Sequence, residues 1–203
     1  MDSWARRYCP GVGGNICPVC CGTERERTVS CPLDCPYLRE SRLRERDHIV
    51  DQGAYPNPDI QISEEFLASR EALLVLTASG LAQAALSEAG SLDNDVKAAL
   101  ESLIQTYRTL ESGLLYESRP ENLIAARIQA GLQARIGEIE GALRENDVSL
   151  PRSDILRVLV FLQRLEIQKN NGRPRGRAFI DFLREFFPSE PPKLQQTTGL
   201  VLP

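Results

Sequence analysis

From residue 63 onward, apolar positions recur at the helical period. Val96, Leu100, Leu103, Tyr107, Leu110 and Leu114 alternate steps of four and three, the seam of a bundle helix. Ile124, Ile128, Leu132, Ile136, Ile139 and Leu143 line one face of a second such segment, and Ile155, Val158, Leu159, Leu162 and Leu165 one face of a third. Ser63-Glu64-Glu65 opens an earlier helix, with Ser63 as cap and the glutamates at the positive end of its dipole. That helix is apolar around most of its circumference, runs to about Ala89 and stops at Gly90. The next starts at Leu92-Asp93 and ends near Ser118-Arg119-Pro120, because the residue before proline disfavours helix. Pro120-Glu121 starts its successor, which breaks at Asn146-Asp147. Ser153 caps the one after, and Asn170-Asn171-Gly172 stops it. A short final helix sets Phe179, Phe182, Leu183 and Phe186 on one stripe before Pro188.

Upstream the pattern is different. Residues 1–16 are Gly-rich and predicted to be irregular, with Trp4 and Tyr8 as anchors. Pro36 opens a surface helix through Arg46 with few apolar positions. Residues 51–60 carry two prolines, a glycine and three Asx residues and cannot propagate a helix. The expected organisation is a cysteine-rich metal-binding module with a short helix (1–50), a linker (51–61), a helical bundle (62–187) and a Pro-rich tail (188–203). The fold class is all-α, a bundle of about five helices preceded by a small treble-clef or ribbon-like zinc module.

The totals change this picture little. The chain has 203 residues, 42% hydrophobic and 26% charged, and a net charge of −4. That suits one substantial core and gives no global pull toward nucleic acid. The start is charged, without the apolar run of a secretory leader, and the longest uncharged stretch, Ala72–Ser87, is short for a membrane span. A cytoplasmic protein that does not enter the membrane is expected, and in a reducing compartment clustered cysteines favour metal over disulfides.

The six cysteines carry the chemistry. Cys17-x-x-Cys20 is a knuckle spacing, and Cys31 and Cys35 at the mouth of a helix supply a second pair, so the expected ligands of a structural zinc are Cys17, Cys20, Cys31 and Cys35. A short hairpin over Thr23–Val29 would join the pairs. Cys21 competes with Cys20, and Cys21, Cys9 and His48 are the possible substitutes. The spare thiols also admit an iron–sulfur cluster. Four cysteines close a tetrahedral site and leave no position for substrate, which makes the module a staple for the fold.

The strings Cys17-Pro-Val-Cys-Cys-Gly-Thr-Glu-Arg-Glu and Cys31-Pro-Leu-Asp-Cys-Pro-Tyr-Leu-Arg-Glu resemble a group of uncharacterised bacterial proteins with an N-terminal cysteine motif and a helical body. The blocks 106–113 and 170–177 are similar to that group too. The resemblance implies a metal-binding module fused to helices and no particular activity.

Other features rank below the cysteines. Lys169, Arg173, Arg175 and Arg177, in a Gly/Asn/Pro loop, are the clearest basic patch and present groups suited to phosphate or carboxylate. Cations at a helix end are the plainer reading. Glu45-x-x-His48 is half of a di-iron motif, and the chain holds a single histidine. Tyr107, Arg108, Glu111, Tyr116, Glu117 and Arg119 are the polar groups nearest the apolar seam. No phosphate-binding Gly loop, no His-Glu-x-x-His and no Gly-x-Ser-x-Gly is present, so the reading leans away from an enzyme. The leading expectation is a zinc-stapled interaction or scaffold protein with a protein partner. The alternatives are binding of nucleic acid or a phosphate ligand through the module and the 169–177 loop, and an iron–sulfur or thiol redox protein.

Overall fold

A computed structural model describes residues 6–45 and 55–188 of the chain. The helical body begins with α3 (Glu64–Ser69) and α4 (Glu71–Ser87) and continues with α5 (Asp93–Glu111), α6 (Leu123–Arg144), α7 (Arg152–Lys169) and α8 (Ala178–Phe186). It is preceded by a short antiparallel pair, β1 (Arg7–Cys9) and β2 (Gly14–Ile16), and by α1 (Pro18–Glu24) and α2 (Pro36–Arg42). Helix α5 packs on α6 and α7, while α4 packs on α6 and α8. Val96, Leu100, Leu103 and Tyr107 of the expected seam are buried, as are Ile128, Leu132, Ile136 and Ile139. Among the described residues no helix is long and apolar enough to cross a membrane.

The ends of the helices moved from their expected places, each for a local reason. The helix expected from 63 to 89 is broken at Arg70, which has φ −119° and ψ 21° and closes α3 before α4 begins. The Ser63 cap stands, its side chain accepting the N–H of Phe66 at 3.1 Å. Helix α5 stops at Glu111 rather than near Ser118, because Gly113 turns with φ +78° and the returning strand is pinned to the helix. The Thr106 hydroxyl accepts the N–H of Ser118 at 2.9 Å, and the Thr109 hydroxyl donates to the Tyr116 carbonyl at 2.9 Å. Asn122, not Pro120, caps α6 through the N–H of Ile124 at 2.8 Å. Pro151 stands at the cap of α7, leaving Ser153 inside the helix. The buried face of α8 is Phe179, Ile180 and Leu183, and Phe186 is exposed.

Two segments expected to be irregular are ordered, one by the body and one by its own strand pairing. Residues 55–61 lie against α5 and α7. Arg108 donates to Asn57 Oδ1 at 2.9 Å and to Asp59 Oδ1 at 2.6 Å, Asn57 donates to Gln163 at 2.8 Å, and Arg164 donates to the carbonyls of Asn57 and Ile60. The Gly-rich start forms the β1–β2 hairpin, in which Tyr8 pairs with Asn15 and Gly13 turns with φ +70°. Where a short hairpin was expected between the cysteine pairs, α1 forms, followed by a single bridge between Arg25 and Val29. Pro36 opens α2 as expected. Trp4, His48 and the tail from 189 lie outside the described residues, and so does the Glu-x-x-His pairing.

Candidate metal centre and its anchor

Helix α1 sorts the cysteines. Adjacent residues on an α-helix lie about 100° apart, so Cys20 and Cys21 cannot face the same way. Cys21 turns inward and is buried, while Cys20 is exposed. Cys17 caps α1 and is joined to Cys20 by a disulfide, with the Cα atoms 5.2 Å apart. Cys9, from the end of β1, and Cys31 and Cys35, from the turn into α2, are buried with free thiols, as is Cys21. All four border one cavity of about 10 Å³, closed in by Leu38, Ile16 and Pro32. Of the four expected ligands, the structure places Cys31 and Cys35 here and sets Cys17 and Cys20 apart as a pair. Cys9 and Cys21, expected only as substitutes, take their places beside the cavity.

A small cation fits the surroundings of this cavity in chemistry and in size. A space of about 10 Å³ is near the lower limit for one water, and four thiols are the donor set of a structural zinc. Arg7 and Arg25 also line it. Arg25 Nη2 stands 3.9 Å from Cys21 Sγ. Arg7 lies over the Tyr37 ring at 3.9 Å, and its Nε is buried with no hydrogen-bond partner among the described residues. Burial pushes the Cys31 thiol above its ordinary range, and the charges of Glu26, Cys35 and Cys9 add to the rise. As they stand, the thiols border the space without converging: among the described residues no three His, Cys, Asp or Glu side chains form a metal-binding group.

The anchor of the module is a carboxylate that the sequence hides in a charged run. Glu26 follows α1 with φ +52°, a conformation that few non-glycine residues adopt, and is fully buried. Its Oε1 accepts Arg42 Nη2 at 2.8 Å and the N–H of Arg177 at 3.0 Å. Its Oε2 accepts Asn171 Nδ2 at 2.8 Å, and Arg173 Nη1 lies 3.8 Å away. Its carbonyl accepts the N–H of Arg175 at 2.8 Å. The 169–177 loop therefore reaches across the molecule to one residue of the module. Gly176 keeps the loop tight, since a Cβ there would stand 2.6 Å from Asn171 Oδ1.

The remaining arginines of the loop also turn toward the module. Arg173 pairs with Glu45 at 3.2 Å, and Arg175 donates to the Ser30 hydroxyl at 2.6 Å. Lys169 stands over the Phe182 ring at 4.9 Å. Arg42 further pairs with Asp181 of α8, and Arg184 of α8 with Asp34 at 3.0 Å. Leu33 joins the core of the helical body. Between α2 and the α7–α8 corner these contacts leave an open groove of about 900 Å³, lined by Arg39, Arg42, Lys169, Arg173 and Arg184 together with Glu45, Asp181 and Glu185.

Two further carboxylates lie beneath the corner. Asp93, the first residue of α5, accepts the N–H groups of Phe179 and Ile180 at 3.1 Å each and so caps α8 from another helix. Burial nevertheless pushes its pKa up to about 6. Glu166 of α7 is raised to about 7, again mainly by burial, although Asn170 donates to it at 2.6 Å. Neither residue carries a sequence signal, because each reads as an ordinary acidic position on a helix. Of the polar groups expected near the seam, Tyr107 is buried and its pKa raised to about 12 by burial, Arg108 holds the linker, and Tyr116 is exposed. Compared with known proteins, the chain matches no family model, no curated protein and no solved structure.

Proposed function

We propose that the chain is a zinc-stapled helical scaffold that presents its surface to a protein partner. The observation that carries this reading is the shared cavity of Cys9, Cys21, Cys31 and Cys35. These four cysteines would be the ligands of one tetrahedral ion, with Arg7 and Arg25 in the same lining to offset the charge of four thiolates. Zinc would supply cross-linking there, joining β1, α1 and the start of α2, and no open coordination position for substrate. The partner surface this reading favours is the turn after α5, where Leu114, Leu115 and Tyr116 are exposed in succession, with Leu123 beside them.

Metal analysis of the purified full chain tests the staple. One zinc per chain and a colourless protein are expected, with metal lost on Cys35→Ser and on Cys9→Ser and kept on Cys20→Ser. A chain that melts identically with and without chelator, and carries no metal, overturns the reading; visible iron–sulfur absorbance transfers the same ligands to a cluster.

A second reading is favoured by the groove of about 900 Å³ with its five cationic side chains. A phosphate-bearing ligand would compete there with Glu45 and Asp181 for the arginines. Retention of RNA that falls steeply with salt, and is lost on Arg39→Ala, supports it. No retention at low salt removes it.

A further inference from the structure

We propose that the Cys17–Cys20 disulfide is a thiol–disulfide exchange site that acts on dithiols of polypeptide partners. This goes beyond the staple reading and does not need a bound metal. It begins from the division of the six cysteines. Four are buried, and buried structural thiols are inert. The remaining two are bonded to each other, and Cys20 is exposed to solvent. Exchange requires an attacking thiolate to reach one sulfur of the pair, and exposed disulfides are the labile ones. Cys20 offers that sulfur.

The leaving sulfur is also defined. The backbone N–H of Cys20 donates to Cys17 Sγ at 3.0 Å. Attack at Cys20 would therefore expel Cys17 as a thiolate that already accepts a hydrogen bond, and stabilising the leaving thiolate speeds exchange. The surroundings point to a polypeptide rather than a small anionic thiol. Val19, between the two cysteines, is 60% exposed, and Tyr8 and Val12 on the neighbouring hairpin are 64% and 57% exposed. Val19 lies within the loop that the bond closes, and Tyr8, Val12 and Leu43 are exposed elsewhere in the module. An exposed apolar side chain between the two sulfurs suits an extended apolar segment bearing the reacting thiols.

The step balances without an added cofactor. A partner thiolate attacks Cys20 Sγ, forming a mixed disulfide and breaking the Cys17–Cys20 bond. The second thiol of the partner, as thiolate, then attacks the partner's sulfur in that mixed disulfide and releases Cys20. The partner dithiol is oxidised to a disulfide, and Cys17 and Cys20 are reduced to two thiols, with two electrons and two protons passing between them. The reverse sequence reduces a partner disulfide.

The test uses the full chain in mixtures of reduced and oxidised dithiothreitol, and then with a synthetic apolar peptide bearing two thiols. Free thiols are trapped by alkylation and mapped by mass spectrometry, and zinc is measured in parallel. A single two-thiol step mapping to Cys17 and Cys20 is expected, with oxidation of the peptide. Cys17→Ser, given the peptide in its disulfide form, should form the peptide mixed disulfide at Cys20, and Cys20→Ser should lose exchange. Val19→Ser, which leaves the pair intact, should slow exchange with the peptide and not with dithiothreitol; circular dichroism confirms that each variant is folded. Absence of a two-thiol step at these positions, or equal rates with Val19→Ser in both assays, overturns the proposal. Loss of zinc from both Cys17→Ser and Cys20→Ser, with the wild-type pair shielded from alkylation, also overturns it while leaving a zinc staple with another ligand set. A cycling pair on a metal-free chain removes the staple and keeps the exchange site.

Discussion

The cysteine module and the helical body are held by different forces. In the body, one continuous apolar core runs through α4, α5, α6, α7 and α8. In the module, the apolar cluster is small: Cys31, Cys35 and Leu38, with Val29 and Tyr37 against them. A core of that size does not fold a segment alone, which is why modules of this kind use metals, disulfides or docking. Here docking runs through polar contacts centred on Glu26, with Arg42–Asp181, Arg173–Glu45 and Arg184–Asp34 beside it and Leu33 in the body's core. A body with a distributed core loses stability in proportion to the volume removed, whereas a module held by a mainly polar seam should come away as a unit.

Three substitutions separate these behaviours. The largest effect is expected from Glu26→Ala, which leaves Asn171 without its partner and Arg42 with Asp181 alone in a buried site. Breaking a buried pair on one side costs about 3–5 kcal/mol. The expected outcome is release of the module, with Cys31 and Cys35 becoming alkylated while helical circular dichroism is largely retained. If those thiols stay protected, the anchor is not Glu26.

Next is Leu100→Ala, at a fully buried position of α5. Truncation of a buried leucine costs about 2–5 kcal/mol. The loss should appear as a lower midpoint of cooperative unfolding, without early exposure of the cysteines. Early exposure would mean that module and body unfold together.

The smallest is a dependence on pH. Glu166 is raised to about 7 and Asp93 to about 6 in the folded chain, so both bind protons more tightly folded than unfolded. Their contribution is fully present below the ordinary carboxylate range and is lost as pH rises through these values. Stability should therefore fall between about pH 5 and pH 7.5. Glu166→Gln should flatten the upper part of that decline and stabilise the protein at pH 8 by about 1–3 kcal/mol. A steeper decline in the variant would show that another group sets the slope.

Much of the body was legible in the sequence because its signals are local. Ser63, Gly90 and Asn171-Gly172 mark ends through their own backbone preferences, and the steps of four and three from Val96 to Leu110 point at a core whatever they pack on. The shift of α5's end to Glu111 was not legible, because it depends on Thr106 gripping Ser118, twelve residues later, and Thr109 gripping Tyr116, seven residues later. The module was legible only as a list of thiols. Spacing favoured Cys17 and Cys20 together with Cys31 and Cys35, but the turn of α1 decides which of two adjacent cysteines is buried. Glu26 was hidden for a similar reason. Arg42 lies 16 positions away and its loop partners Asn171 and Arg177 lie 145 and 151 away, and within Glu24-Arg25-Glu26-Arg27 nothing local distinguishes it.

The reach of the 171–177 loop also sets an order of events during synthesis. The cysteines are made well before Asn171 and Arg177, two of the groups that hold Glu26. Nascent chains fold from the N-terminus as they emerge, yet here the module can dock only after α7 and the following loop have been made. The cavity beside Cys9, Cys21, Cys31 and Cys35 is lined by module residues alone, so the thiols can gather while Glu26 still waits for its distant partners. The cell has that interval in which to deliver a metal, and a chain cut short before Asn171 would leave the Glu26 carboxylate without the loop that holds it.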